Sequence, residues 1–292
     1  MKYLLLLALV VSVLVSLPGC AAPAKTDMPI VLLTDFGNDD YRVPRLKGVI
    51  YSTNPDATVI DATHGIPSVD IAAGAYVLGL TAEAFPEKVV FIAAVGAGST
   101  PDEKSLVLTN NKDQIFVLPD NGLITFVAKN MGIKNVYEIT DQDLFDEPLS
   151  SLSSHQILGR IAAMIASGLP PKKVGPEVKA PVMLDIQEAA VVDGKLVGYI
   201  VFIDHFGNCL TNITGEDAAQ FGLSPGDKIL ITIAGNTTRS VIGQGYSDVP
   251  KGEAVALVNS LGTLQLSINR GSFAITNNVK TGLMVEIERS AP

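Results

Sequence analysis

The chain has 292 residues, of which 47% are apolar and 17% charged, and its formal net charge is −9. This length is enough to bury a large core in about one or two domains. An acidic chain lacks the basic surface that displaces counterions from a phosphate backbone, so we expect no nucleic-acid partner.

The first residues have the pattern of a leader sequence. Lys2 is followed by an apolar run to Leu17, and this run is shorter than the roughly 20 residues that a spanning helix needs. Residues 1–19 therefore predict a signal peptide, with an uncleaved anchor as the alternative. Its end is similar to a bacterial lipobox, Leu17-Pro18-Gly19-Cys20.

The lipobox implies that Cys20 is lipidated and that residues 20–28 tether the protein to a membrane. Both interpretations of the leader place the remaining chain outside the cytoplasm. Cys209 is the only other cysteine, so we expect no intrachain disulfide once Cys20 is acylated.

The first predicted strand ends in a polar turn. An apolar run from Val31 stops at Asp35, and apolar residues resume at helical spacing from Val43, which predicts a strand, a turn and a helix. Ligands of open α/β sheets bind at such junctions. The carboxylate of Asp35 can accept the two vicinal hydroxyls of a ribose, and Asp40 can receive an ammonium group. Alternatively, Asp40 only caps the helix.

Strands and helices alternate over residues 29–176, which predicts an α/β domain with a mainly parallel sheet and flanking helices. The predicted strands are 57–64, 89–95, 106–108 and 114–118, and the predicted helices are 69–85, 123–130 and 153–167. Residues 177–192 are a predicted linker. Residues 193–292 predict a smaller all-β barrel or sandwich, with strands at 196–203, 228–233, 254–258, 264–268 and 283–287.

A second polar cluster opens the β domain at residues 204–208. Phe206 offers a face for stacking, and the amide of Asn208 can read an adenine edge with one donor and one acceptor. A hairpin turn around Gly207 is the alternative interpretation.

Four motifs in order carry a family resemblance: Thr34-Asp35-Phe36-Gly37, Pro119-Asp120-Asn121-Gly122, Asp204-His205-Phe206-Gly207-Asn208 and Asn259-Ser260-Leu261-Gly262. Together they resemble the S-adenosyl-L-methionine (SAM) hydroxide adenosyltransferases and their halogenase relatives, the fluorinase and chlorinase. The resemblance covers residues 29–288. It implies a homotrimer whose site lies between the N-terminal domain of one subunit and the C-terminal domain of its neighbour.

The resemblance also implies roles for single residues. Asp35 matches the ribose ligand, and Asp40 lies near the methionine amine. Asp204 and Ser260 match the methionine end, whereas Phe206, Asn208 and Asn269 match the adenine side. The chemistry implied is displacement at C5′ of SAM, with neutral methionine leaving. Because the sulfonium is already an activated leaving group, no cofactor or metal is expected.

The sequence departs from the family where the hydrolases hold their nucleophile with Asp, Arg and His. Gly96, Glu103 and Ser153 stand at those positions. A carboxylate about 4 Å from a hydroxide, at an effective dielectric near 20, repels it by roughly 4 kcal/mol, or on the order of a thousandfold in rate. A shift of one or two residues would bring Lys104 or His155 into place instead.

Three functions remain open from the sequence. The first is hydrolysis of SAM to adenosine and methionine. The second is a catalytically inactive, membrane-tethered adenosine or nucleoside binder, which the extracytoplasmic location favours. The third is a SAM-dependent halogenase, since Ser99 and Ser154 match two halide-binding positions, although residues 104–114 leave no room for the extra halogenase loop. The three histidines have no second His or Cys at metal-ligand spacing, so we expect no metal site.

Overall fold

The computed structural model describes residues 27–100 and 102–290. The predicted signal peptide, 1–19, and the predicted lipidation site, Cys20, lie outside the described residues. Among the helices of the described part, none has both the length and the apolar character that a membrane crossing requires.

The N-terminal domain is a six-stranded sheet with helices on both faces. Its strands are β1 (Ile30–Thr34), β2 (Val59–Thr63), β3 (Val90–Ala94), β4 (Ser105–Asn110), β5 (Ile115–Pro119) and β6 (Ile133–Glu138). Its helices are α1 (Arg42–Thr53), α2 (Ile71–Ala84), α3 (Thr125–Met131) and α4 (Ser154–Ala166).

The strand order is β2-β1-β3-β5-β4-β6, and β4 runs antiparallel to both of its neighbours. Alternate residues of each central strand pack on opposite faces. Leu32 and Ile92 share a core with α1 and α4, whereas Leu33 and Phe91 share one with α2 and α3. Burial on both faces explains why the central strands are continuous apolar runs. The predicted mainly parallel sheet is confirmed.

The C-terminal domain is a closed barrel, which decides between the two predicted β architectures. Its strands are β7 (Ala190–Val192), β8 (Lys195–Ile203), β9 (Cys209–Thr214), β10 (Lys228–Ile233), β11 (Asn236–Gly243), β12 (Ala254–Val258), β13 (Thr263–Ile268) and β14 (Met284–Arg289), with short helices α5 (Gly215–Gln220) and α6 (Phe273–Asn277). Pairing of β14 with β8 closes the ring of seven strands. β7, which lies within the predicted linker, forms a hairpin with β8.

The sequence prediction missed β6, β7, β9 and β11. β6 mixes apolar and polar side chains without a strict alternation, and β11 begins with five polar residues. Their pairing with β4 and β10 supplies the order that the local pattern does not indicate. The predicted helix 69–85 is shorter, because the Asp70 side chain caps the helix by accepting the Ala73 N–H and α2 begins at Ile71.

The two domains touch along α2. Thr281 donates a hydrogen bond from Oγ1 to Asp70 Oδ2 at 2.6 Å. Phe202 of β8 stacks on Tyr76 with ring centroids 6.1 Å apart and packs against the N-terminal core. These contacts hold the barrel against the helix that begins beside the carboxyl end of β1.

Candidate functional site

Asp35 lies directly after β1, at the carboxyl end of the parallel sheet. Its Oδ2 accepts the N–H groups of Val69 at 2.9 Å and of Gly96 at 3.0 Å. This one oxygen therefore links the end of β1 to the loop after β3, through Gly96, and to the residue before the N-cap of α2, Val69. Among the described residues Oδ1 has no hydrogen-bond partner, so this oxygen can accept a ligand hydroxyl.

Val69 and Gly96 have unusual backbone conformations. Val69 has φ 60° and Gly96 has φ 62°. A β-branched residue in the left-handed region costs of the order of 1–3 kcal/mol, and Val69 is also 55% exposed. The conformation directs the Val69 N–H at Asp35. Sequence reasoning missed this contact, because no local signal marks a valine with positive φ.

His64 supports the turn that follows β1. Its Nδ1 lies 2.9 Å from Thr34 Oγ1, and its carbonyl accepts the Gly37 N–H at 2.7 Å. Nε2 lies 3.2 Å from Asp61 Oδ1, but the angle is not that of a hydrogen bond. The ring is buried, so His64 stabilises the turn rather than facing a ligand.

Asp40 is engaged at the start of α1. Its carboxylate accepts both the backbone N–H and a guanidinium N–H of Arg42, each at 2.8 Å. The N-cap residue of α1 is Tyr41, so Asp40 is not the N-cap itself but binds the first N–H of the helix from one residue earlier. A ligand amine would compete with Arg42 for the same carboxylate.

Two of the three positions at which the sequence departs from the family, Gly96 and Glu103, lie close together after β3, and the third, Ser153, lies at the start of α4. Gly96 and Glu103 line a cleft of about 430 Å³ that is also walled by Val69, Ile71, Ser99, Lys104, Asp120 and Asn121. Gly98 joins them: its N–H is bonded to Glu103 Oε2 at 2.5 Å, and a side chain at this glycine would meet Ser154 Oγ. Gly96 and Glu103 are therefore neighbours in space, and the start of α4 reaches them through Ser154.

Glu103 is half-buried at the edge of this cleft. Burial raises the pKa of its carboxyl above the ordinary value, and the Gly98 N–H opposes part of that rise. A carboxylate that is partly desolvated and held by one hydrogen bond is a stronger base than one in water.

The candidate catalytic side chains differ in whether another residue already binds them. Ser99 lines the cleft and donates its hydroxyl to the Gly96 carbonyl. Lys104 also lines the cleft, but its ammonium lies 2.8 Å from Glu138 Oε2, and this pair raises the pKa of Lys104. The Ser154 hydroxyl faces Gly98 and has no hydrogen-bond partner among the described residues.

Ser153 and His155 belong to the start of α4. Ser153 is the N-cap, and both its N–H and its hydroxyl donate to Gln156 Oε1. His155 Nε2 lies 3.2 Å from Ser153 Oγ. Burial, followed by the charges of Arg45 and Arg42, lowers the pKa of His155. His155 is therefore placed against α1 and does not line the cleft.

The turn between β8 and β9 is organised by Asp204. Its Oδ1 accepts the N–H groups of Phe206 and Asn208, each at 2.9 Å, and its Oδ2 accepts the Asn208 side-chain amide at 2.7 Å. Asn208 is buried, whereas Phe206 is 75% exposed. Gly207 has φ 80° and sits against Ser272. This is the hairpin turn of the alternative interpretation, and it presents the Phe206 ring to solvent.

Ser260 and Asn269 lie at opposite ends of β13. The 259–262 turn is next to Thr214, because Thr263 pairs with Thr214, whereas Leu266 pairs with Cys209 beside the Asp204 turn. Five residues of strand separate the two ends by about 17 Å. The Asn269 amide donates to the Val249 carbonyl at 2.7 Å. The structure thus groups Asp204, Phe206 and Asn208 and places Ser260 apart from them.

Two family models match the chain: the SAM hydroxide adenosyltransferase N-terminal domain over residues 30–175 and the C-terminal domain over residues 198–286. The chain belongs to the SAM hydroxide adenosyltransferase family. The resemblance carried by the four sequence motifs is confirmed, and the matched ranges agree with the α/β domain and the barrel.

Proteins similar to this chain include SAM hydrolases and fluorinases. A protein of Methanocaldococcus jannaschii named (R)-S-adenosyl-L-methionine hydrolase is 31% identical, over 82% of this chain and 87% of its own length. A fluorinase of Nocardia brasiliensis is 29% identical, over 89% of this chain and 96% of its own length. A solved structure of an uncharacterized conserved protein from Thermotoga maritima has 29% identity and a TM-score of 0.81, covering 89% of this chain and 100% of that one.

Outside this cleft, the described residues form a further cavity but no metal-binding group. Over residues 27–100 and 102–290, no group of three or more His, Cys, Asp or Glu side chains is arranged to hold a metal ion. A larger cavity, about 1340 Å³, lies in the barrel wall where β11 and β12 separate, and it borders Asn269 through Gly252 and Glu253.

Proposed function

We propose that this chain binds SAM and hydrolyses it at C5′ to adenosine and L-methionine. The observation that carries the proposal is the Asp35 carboxylate. It stands at the carboxyl end of β1, at the position that matches the family's ribose ligand. Two backbone N–H groups fix one of its oxygens, and the other oxygen is left to accept a ribose hydroxyl.

The reaction needs orientation more than acid chemistry. The positive sulfur of SAM leaves as the neutral thioether of methionine, so no group has to protonate the leaving atom. A ribose fixed at Asp35 presents C5′ toward the 96–103 cleft, where water can approach. Holding the ribose and the water in line removes much of the entropic part of the activation barrier of this bimolecular displacement. The same chemistry requires no cofactor and no metal.

The adenine is proposed to stack on Phe206 of a neighbouring subunit in a homotrimer. A phenylalanine that is 75% exposed at the tip of a rigid turn is costly to leave in water, and stacking on a base would cover it. The buried Asn208 behind it is held by Asp204, which fixes the amide orientation that would read the adenine edge.

Attachment to a membrane through Cys20 is a separate proposal that rests on the lipobox-like sequence. Full-length protein expressed with radiolabelled fatty acid should incorporate label and partition with detergent. The Cys20→Ala variant should lose both properties. Equal labelling of the variant would exclude lipidation at this position.

The function is tested by incubating the purified protein with SAM and following products by chromatography. We expect adenosine and methionine in equal amounts, and no adenosine from Asp35→Ala. Absence of turnover together with measurable adenosine affinity would instead indicate the catalytically inactive nucleoside binder. A 5′-halogenated nucleoside formed only in the presence of halide would indicate the halogenase.

A further inference from the structure

The 96–103 cleft holds one carboxylate that the hydrolase pattern does not contain. Glu103 lines this cleft together with Gly96 and Ser99. Its Oε2 is fixed by the Gly98 N–H at 2.5 Å. Its Oε1 has no hydrogen-bond partner within the described part of the chain, so one oxygen is anchored and the other can bind a water molecule.

Glu103 and Asp35 are both hydrogen-bonded to the backbone of residues 96–98. Asp35 Oδ2 bonds to the Gly96 N–H at 3.0 Å, and Glu103 Oε2 bonds to the Gly98 N–H. Two residues of chain span at most about 7 Å. The two bonded carboxylate oxygens, Asp35 Oδ2 and Glu103 Oε2, therefore lie within about 13 Å of each other.

Three other polar groups of the cleft have partners. Lys104 is paired with Glu138 at 2.8 Å. Asp120 Oδ1 accepts the Val182 N–H at 2.6 Å, and the Ser99 hydroxyl donates to the Gly96 carbonyl. Asp102, which also lines the cleft, is exposed. Glu103 and Asp120 are both half-buried and anchored through one oxygen, and Glu103 is the one that is bonded to the 96–98 segment, which also binds Asp35.

We propose that Glu103 is the general base that takes a proton from the water attacking C5′. The inference rests on the proposed hydrolysis of SAM. The water oxygen forms a bond to C5′, the C5′–S bond breaks with its electron pair going to sulfur, and one water proton passes to the Glu103 carboxylate and then to solvent. Methionine leaves as a neutral thioether, so charge and atoms balance.

This role replaces hydroxide binding with water activation. A carboxylate repels a hydroxide that is already formed, but it attracts the proton of a neutral water molecule. The burial that raises the pKa of Glu103 makes this carboxylate a better proton acceptor. The charged groups that line the cleft with Glu103 are Asp102, Asp120 and Lys104, and Lys104 is paired with Glu138.

The test is the rate of adenosine formation by Glu103→Gln. Glutamine has the same shape and its carbonyl can still accept the Gly98 N–H, but it cannot take up the proton. We expect kcat to fall by about 10²–10⁴-fold while adenosine affinity stays unchanged. The matched control is Glu87→Gln, an exposed glutamate at the opposite end of β3, which should keep the wild-type rate.

The pH profile separates a base from a structural residue. Wild-type kcat should rise with pH through an inflection above the ordinary carboxyl value, and the residual rate of Glu103→Gln should lack that inflection. An equal or faster rate for Glu103→Gln in an active protein would overturn the role of Glu103 and leave the proposed hydrolysis standing. If the wild-type protein binds adenosine but forms no adenosine from SAM, the proposed hydrolysis is wrong. The role of Glu103 is then wrong as well.

Discussion

Asp35 and Gly96 are joined by a 3.0 Å hydrogen bond between the carboxylate that ends β1 and the N–H that follows β3. The bond connects the predicted ribose ligand to the loop in which two of the family's three nucleophile-binding residues are replaced. In the proposed reaction, this backbone segment therefore positions both the nucleoside and the attacking water.

Asp35→Asn separates the ligand role of this residue from its structural role. Asparagine keeps an acceptor for the N–H groups of Val69 and Gly96 but has no charge. Hydrogen bonds to a charged group contribute about 1.5–3 kcal/mol, compared with about 0.5–1.5 kcal/mol for neutral ones. We expect a near-native unfolding midpoint and roughly tenfold weaker adenosine binding by titration calorimetry. Unchanged affinity in both this variant and Asp35→Ala would refute the assignment.

Phe206→Ala should weaken nucleoside binding without destabilising the fold. The side chain is 75% exposed, so its removal leaves no cavity. Loss of stacking on a base costs about 1–3 kcal/mol, and we expect the adenosine dissociation constant to rise accordingly. The control is Val191→Ala, an exposed position on β7. Equal affinity of the two variants would show that Phe206 does not stack on the ligand.

Thr281→Val tests the contact between the domains. The Thr281 hydroxyl donates to Asp70 Oδ2 at 2.6 Å, and valine has the same shape without the donor. We expect the free energy of unfolding to fall by about 1–3 kcal/mol in urea titrations, because a carboxylate oxygen loses its partner. Thr276→Val, at an exposed hydroxyl of α6, should change it far less. Equal effects would mean that the contact adds no stability.

His155 should make the fold sensitive to mild acid. Burial and the nearby Arg45 and Arg42 lower its pKa below the ordinary 6.5, so the folded protein favours the neutral ring. The unfolded chain takes up a proton first as pH falls below 6.5, and stability is lost from there down to the folded pKa. The melting temperature of the wild type should therefore fall relative to that of His155→Gln between about pH 7 and pH 5. A constant difference would contradict the shift.

The sequence predicts the parts of this site that depend on local pattern. The apolar run before Asp35 and the helical spacing after it place a carboxylate at the end of a central strand, and the structure confirms that architecture. β6 and β11 were missed because their polar residues weaken the period that a single strand shows, and only pairing with β4 and β10 reveals them.

The contacts that fix the site are long-range and have no local signature. Asp35 is held by N–H groups 34 and 61 residues away, and one of these belongs to a valine with positive φ. At the helix starts, the residue types that cap were predictable, whereas the partner of Asp40 was not. Ser153 caps α4, and Asp40 binds Arg42, because helix starts satisfy their free N–H groups with whichever side chain is nearest.

The central claim is that Asp35 of one subunit and Phe206 of the next form one nucleoside site. Its most direct test is co-expression of Asp35→Ala and Phe206→Ala chains with different tags, followed by adenosine binding to the purified mixed particles. The concentration is chosen so that neither variant binds alone. In a closed ring of head-to-tail contacts, random mixing pairs an intact N-terminal domain with an intact barrel at about one site in four. We predict binding at about that fraction, and no binding by the mixed particles would contradict the account.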